Sequence, residues 1–235
     1  MSSAHELDLR DDREYPTGYY LNEFVVPYRK LVDAGNEPVI ANPDDAARAD
    51  ALKYAQNIEQ LKHPKTLASV VSEGTQGYVG LFIPGGHAPM QDLIKDKNLG
   101  RILVSFHQSG RPTGIICHGP IVLLSTLADP DAFQQSLIAN DGKANSLAQN
   151  WPYTGYRVTI FSTGEEQQLE GPNGLGGNVQ FYPVNALAEA GAHVDTVANW
   201  HSNVIIDREL ITGQQPMSAA GFGDVLVAKL KAHKK

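Results

Sequence analysis

Thr113-Gly114-Ile115-Ile116-Cys117-His118-Gly119-Pro120 is the stretch on which the fold turns. Its first half is small and β-branched, which suits a strand buried on both faces. Its second half is a tight turn, and the apolar run 121–127 that follows reads as a buried helix. Working backwards, 78–83 reads as a second buried strand, closed by Pro84-Gly85-Gly86-His87. Between the two strands, 99–107 carries an amphipathic helical pattern stopped by Gly110. Apolar strands alternating with helices of this size predict an α/β fold with a mostly parallel sheet and helices on both faces.

The flanks extend the pattern. Residues 18–34 read as a helix stopped by Gly35, with a kink or break expected at Pro27. A short strand is predicted over 37–41, a turn over 42–45, an alanine-rich surface helix or excursion over 46–61 and a short helix over 66–72. Residues 129–152 are polar and turn-rich, and 157–161 reads as a strand. A helix follows over 184–190, then short strands over 194–198, 204–207 and 209–212, with a tight turn at Asp207-Arg208. The helix 222–232 closes the chain. Neither repeat nor linker interrupts it, so residues 1–235 are expected to form one domain.

Composition bounds the function. A net charge of −7, with basic residues clustered only at 229–235, argues against a nucleic-acid partner. No run approaches the roughly 20 apolar residues of a membrane span, and the first dozen residues are polar and acidic rather than signal-like, so a cytoplasmic location is expected. The single cysteine allows neither an internal disulfide nor a multi-cysteine zinc site.

That cysteine ends a predicted buried strand. Active groups of open parallel sheets gather beyond the carboxyl ends of the strands, where both glycine-bearing turns fall. A thiol on such a turn is expected to be exposed and to feel the positive end of the following helix, which lowers its pKa. Amides at Gly85 and Gly86 are placed to face an oxyanion. The plainer alternative is that Cys117 is one more small buried apolar residue.

Four segments resemble the class I glutamine-amidotransferase-like superfamily, in its PfpI branch of glutathione-independent glyoxalases (glyoxalase III) and related heat-inducible chaperones. They are Thr17-Gly18-Tyr19-Tyr20-Leu21-Asn22-Glu23, Phe82-Ile83-Pro84-Gly85-Gly86-His87, Ile116-Cys117-His118-Gly119-Pro120 and Leu210-Ile211-Thr212-Gly213-Gln214-Gln215-Pro216. The resemblance implies a flavodoxin-like sandwich, with Cys117 as nucleophile, His118 as its base and Glu23 as an acid beside the sulfur. It implies a second acid at Glu165 or Glu166, Glu166 being favoured, that orients the histidine. Gly85, Gly86, His87 and Trp200 are then expected at the substrate, with His87 capping the next helix as its alternative and packing as that of Trp200.

The implied reaction converts methylglyoxal or a related small dicarbonyl to a 2-hydroxy acid, without cofactor, in a homodimer. Amide hydrolysis, a holdase chaperone and a cysteine redox sensor are the competing uses. The zinc ligands of some chaperone members have no counterparts, so no metal is expected. One departure stands out. Family members begin with an apolar central strand, whereas 6–15 is highly charged and reads as no strand, so 1–16 is expected to be irregular.

Overall fold

The computed structural model of the chain describes residues 1–43 and 58–233. In chain order its first elements are β1 (Glu6–Asp8), β2 (Glu14–Pro16), α1 (Leu21–Asp33), β3 (Ala41–Asn42), α2 (Glu59–Lys62), β4 (Lys65–Thr66), α3 (Leu67–Glu73), β5 (Leu81–Ile83), α4 (Lys97–Gln108) and β6 (Thr113–Ile116). The second half adds α5 (Pro130–Ala139), α6 (Ala144–Leu147), β7 (Arg157–Val158), α7 (Thr163–Leu169), α8 (Pro183–Glu189), β8 (His193–Val194), β9 (Val204–Asp207), β10 (Leu210–Gly213) and α9 (Ala219–His233).

The central sheet has the order β5-β6-β10-β9. Its first three strands run parallel, and β9 is antiparallel to β10. Because side chains alternate across a strand, Ile115 and Leu210 face one side while Ile116 and Ile211 face the other. The first side packs on Leu99, Ile102, Leu103 and Phe106 of α4 and on the buried 3-10 segment Gly119–Thr126. The second side packs on Leu31 of α1 and on Phe222, Leu226 and Leu230 of α9. Each such leucine or isoleucine removed from water is worth about 1.5–3 kcal/mol. The sheet covered on both faces is the α/β architecture the strand-turn-helix pattern predicts.

Several boundaries differ from the sequence reading. The first 16 residues are not irregular: Leu7 pairs with Tyr15 in an antiparallel hairpin of β1 and β2, and Asp11 and Asp12 turn it with φ of 58° and 53°. Glu6-Leu7-Asp8-Leu9 alternates polar and apolar, and Leu7 and Leu9 are buried. The high charge had hidden this period of two. The hairpin is not hydrogen-bonded into the central sheet. Among the described residues β5 is therefore an edge strand, and a cavity of about 240 Å³ opens between Tyr78–Phe82 and the facing 36–41 stretch.

Helix α1 runs unbroken through Pro27. The strand expected over 37–41 shrinks to Ala41–Asn42, and that over 157–161 to Arg157–Val158. The excursion expected over 46–61 lies outside the described residues except for its end, where α2 stands. The polar stretch 129–152 holds two helices; Asp129 caps α5 by accepting from the Ala132 amide, with Pro130 at its first position. Helix α7, unforeseen, is started by a capping box of Ser162 and Glu165.

Candidate active site

Strands β5 and β6 deliver their turns side by side. Cys117, the first residue past β6, has φ of 62°, a conformation that costs a non-glycine residue strain. Its amide donates to Gly213 O at 2.8 Å, and its carbonyl accepts from Phe161 N at 3.0 Å. Main-chain bonds on both sides thus hold the turn. Gly85 lies directly against it: a Cβ there would collide with Cys117 Cβ, Glu23 Oε2 and Ile116 O. Gly86, at φ 89°, lies so close to Gly18 O and Tyr20 N that it too has no room for a side chain.

Cys117 Sγ lies 3.2 Å from His118 Nδ1, and His118 Nε2 lies 2.7 Å from Glu166 Oε2. Adjacent cysteine and histidine side chains meet because the left-handed turn swings them together. The carboxylate keeps the Nε2 proton in place, which leaves Nδ1 with a lone pair toward the sulfur. Glu166, not Glu165, is the partner of the histidine. Glu165 is drawn back to cap its own helix, accepting from Ser162 N at 2.9 Å, and also accepts from Trp200 N at 2.7 Å and Gln214 Nε2 at 3.1 Å.

Glu23 comes from the first turn of α1 and is fully buried beside the sulfur. The Gly85 and Gly86 amides face its carboxyl, yet neither oxygen completes a hydrogen bond of ordinary geometry. Burial pushes its pKa up to about 8, against the smaller pull of Cys117 and the two amides. Burial, then the nearby Glu23, also push the Cys117 thiol well up, with the Gly86 and His118 amides opposing. The sulfur is not the exposed, low-pKa thiolate that a helix end was expected to give: Cys117 is 3% exposed, and desolvation outweighs the amides. His118 is lowered to about 4 by burial, then by His87. For Glu166, burial acts upward, but the charge and hydrogen bonds of His118 and then His87 prevail and hold it far below the usual carboxylate range.

His87 does not cap the helical turn after it; its Nε2 lies 2.7 Å from Glu166 Oε1. Nothing in the sequence signalled this pair, which spans 79 positions. The imidazoles of His87 and His118 lie 3.9 Å apart, and His118 stacks on Phe161 at 4.3 Å. Trp200, at φ 62° and 38% exposed, stands edge-on to Phe161 at 5.7 Å and donates its indole N–H to Gln168 Oε1. It is one ring removed from the histidine. His201, its neighbour, is exposed. Phe161 and the His118 amide are the members the sequence reading overlooked. A Ser-x-x-Glu capping signature over 162–165 was present in the sequence and assigns Glu165 to its own helix, leaving Glu166 for the histidine.

Ligand-type atoms of His87, His118 and Glu166 lie within 4.8 Å of one another. Their 2.7 Å contacts are hydrogen-bond distances, shorter than the roughly 3.3 Å between neighbouring ligands about zinc. None of the site residues except Pro84 of the β5 turn lines the 240 Å³ cavity at the β5 edge, so the chemistry and not the cavity locates the site. No helix of the described residues is long and apolar enough to cross a membrane.

Known proteins agree with this construction. Residues 17–128 match the DJ-1/PfpI family. The chain is 24% identical over 241 residues to the protein/nucleic acid deglycase HchA of Staphylococcus aureus, covering 94% of this chain and 75% of that one. In structure it is similar to the Rapid Encystment Protein 24 KDa of Francisella tularensis, with a TM-score of 0.71 at 23% identity over 97% of this chain and 96% of that one. Glyoxalase III of Candida albicans superposes with a TM-score of 0.71 at 18% identity, over 97% and 94% of the two chains. The parallel sheet, the cysteine turn and the DJ-1/PfpI family match over residues 17–128 agree with one another, and the fold of the chain resembles that of glyoxalase III.

Proposed function

We propose that the protein is a glutathione-independent glyoxalase of the glyoxalase III type, acting on methylglyoxal or a similarly small α-ketoaldehyde. The observation that carries this reading is the relay Cys117 Sγ–His118 Nδ1 at 3.2 Å and His118 Nε2–Glu166 Oε2 at 2.7 Å, with a neutral carboxylic acid at Glu23 on the other side of the sulfur.

The resting thiol gives its proton to His118 Nδ1 as the sulfur bonds to the aldehyde carbon. His118 returns that proton to the new alkoxide, completing a hemithioacetal. Amides of Gly86 and His118, both turned to the sulfur, are placed to steady the oxygen while it is negative. His118, neutral again, removes the hydrogen from C1, and Glu23 in its acid form donates to the carbonyl oxygen at C2, giving an enediol. His118 returns its proton to C2 while the C1 hydroxyl gives its proton back to Glu23, which leaves a thioester; one water then releases the 2-hydroxy acid and the thiol. Nothing else is consumed, so no cofactor is required. The enclosed sulfur favours a small unbranched aldehyde. Gly85 shapes this floor by yielding space to Cys117, and Trp200 and His87 stand at the rim.

Residues 1–235 act in this reading as one class I glutamine-amidotransferase-like unit, and a homodimer is the proposed assembly. A second reading is favoured by the name of the Staphylococcus aureus relative, a deglycase. The same carbonyl carbon, carried as an early adduct on an amine or thiol, would meet the same sulfur. The test is lactate formation from methylglyoxal without glutathione, in wild type and Cys117→Ser side by side. Turnover lost in the variant supports the covalent route; equal turnover in both, or none in wild type, overturns the glyoxalase reading.

A further inference from the structure

Glu166 serves two imidazoles, and only one of them is accounted for by the relay. Oε2 accepts from His118 and Oε1 accepts from His87, each at 2.7 Å. The two rings lie 3.9 Å apart. Both donors use Nε2, so both neutral rings share the same tautomer, and Nδ1 of His118 remains free for the thiol proton. The side chains of Glu166 and His118 are 0% and 2% exposed, whereas that of His87 is 11% exposed. His87 is the member of the trio with an opening to solvent.

One carboxylate can compensate one imidazolium. The titratable groups turned toward the pair are Glu166 and Glu165 of α7, Cys117 on the β6 turn and, behind the sulfur, Glu23 of α1. Glu23 is held neutral by burial, and Glu165, whose oxygens are turned to Ser162, Gln214 and Trp200, acts on His118 less than Glu166 does. A second positive ring at 3.9 Å would therefore be only partly compensated in a buried site, where like charges repel strongly: the charge of His87 outweighs that of Glu165 at His118.

We propose that His87 is a positioning residue that sets the acid limit of the reaction. Its neutral ring holds Oε1 so that Oε2 meets His118, and its protonated ring claims the charge of Glu166 and so denies His118 the proton of Cys117. This rests on the assignment of Cys117, His118 and Glu166 as the relay, and extends it to a fourth residue. The lowering of His118 to about 4, with the charge of His87 among its causes, agrees with the geometry.

The test compares wild type with His87→Gln, which keeps an N–H donor but carries no charge, and His87→Phe, which keeps the ring volume and loses both. Histidine side chains labelled with 15N are titrated without substrate, and kcat and KM for methylglyoxal are measured across pH. In His87→Gln the His118 resonance is expected to titrate about one pH unit higher than in wild type, from a neighbouring charge removed. The acid limb of kcat/KM should change with it. In His87→Phe, kcat is expected to fall about tenfold or more with little change in KM, and to fall further than in His87→Gln. An unmoved His118 titration in His87→Gln overturns the proposal, whatever the activity. Inactive wild type with a shifted His118 leaves the His87 coupling standing and removes the glyoxalase reading instead.

Discussion

The backbone N–H of Trp200 donates to Glu165 Oε1 at 2.7 Å, tying the loop after β8 to the helix that carries Glu166. Glu165 is fully buried and also satisfies Ser162 N and Gln214 Nε2. Glu165→Ala strands these donors, so a loss of roughly 3–5 kcal/mol is expected. Urea unfolding measures it. A cost under about 1 kcal/mol would show that the carboxylate is dispensable to the fold.

Glu166→Gln keeps shape and one acceptor but can place an N–H against a ring nitrogen. His118 then has reason to turn its lone pair away from the sulfur, and kcat should fall about 10²- to 10⁴-fold, as loss of a base's orienting carboxylate does. Stopped-flow or endpoint lactate assays at pH 7 decide this. A comparable fall in Glu165→Gln with the fold intact would contradict the division of labour between the two neighbours.

The thiol is held up by burial and by Glu23, so its reaction with iodoacetamide is expected to be slow at neutral pH. It should climb only beyond the ordinary midpoint of roughly 8.5. A midpoint of about 6 or 7 would instead mean a resting thiolate, and the proton transfer to His118 would be unnecessary.

Glu23 carries a stability signature. Its ordinary value near 4.5 is raised to about 8 in the folded protein, so the folded state retains a proton that the unfolded chain releases. Its contribution is full below about 4.5 and drains away as pH climbs through about 8. Relative to Glu23→Gln, wild type should lose stability between pH 5 and 9. Thermal melts across that interval check it, and parallel curves for the two proteins would refute a buried neutral acid. At the other end, His118 and Glu166 are both lowered: the part tied to His118 is full above about 6.5 and is lost as pH falls through about 4, and the part tied to Glu166 is full above about 4.5 and is lost at lower pH still.

Gly85→Ala tests the contact beneath the cysteine. The added methyl meets Ile116 O and Cys117 Cβ, atoms of a hydrogen-bonded strand end that cannot move aside cheaply. A loss of about 1–3 kcal/mol is expected, with activity falling further than stability. Full activity in this variant would place the reacting atoms elsewhere.

What could be read in advance followed from short-range rules. The 113–120 stretch announced strand, turn and buried segment because apolar runs and glycine turns act locally. Helix α5 escaped because its start is signalled by Asp129 and Pro130 rather than by apolar periodicity. The β1–β2 hairpin escaped because charges on its outer face masked Leu7 and Leu9. In the site, Cys117 and His118 were legible from a turn motif and Glu23 from resemblance. Choosing between Glu165 and Glu166 needed the capping box, which turns the first back on its own helix. His87 with Glu166 is a long-range pairing, and no local pattern encodes it. The low-pKa expectation failed because a turn exposes a side chain only if nothing is packed over it.

Cys117 keeps a φ of 62° although only glycine adopts it freely. Glycine there would relax the backbone while surrendering the sulfur, and should unfold no more readily than alanine despite its smaller side chain. Selection for heat resistance alone would therefore push this position toward glycine, and selection for turnover would push it back. A library sorted under both pressures would separate at residue 117 before it separated anywhere in the core.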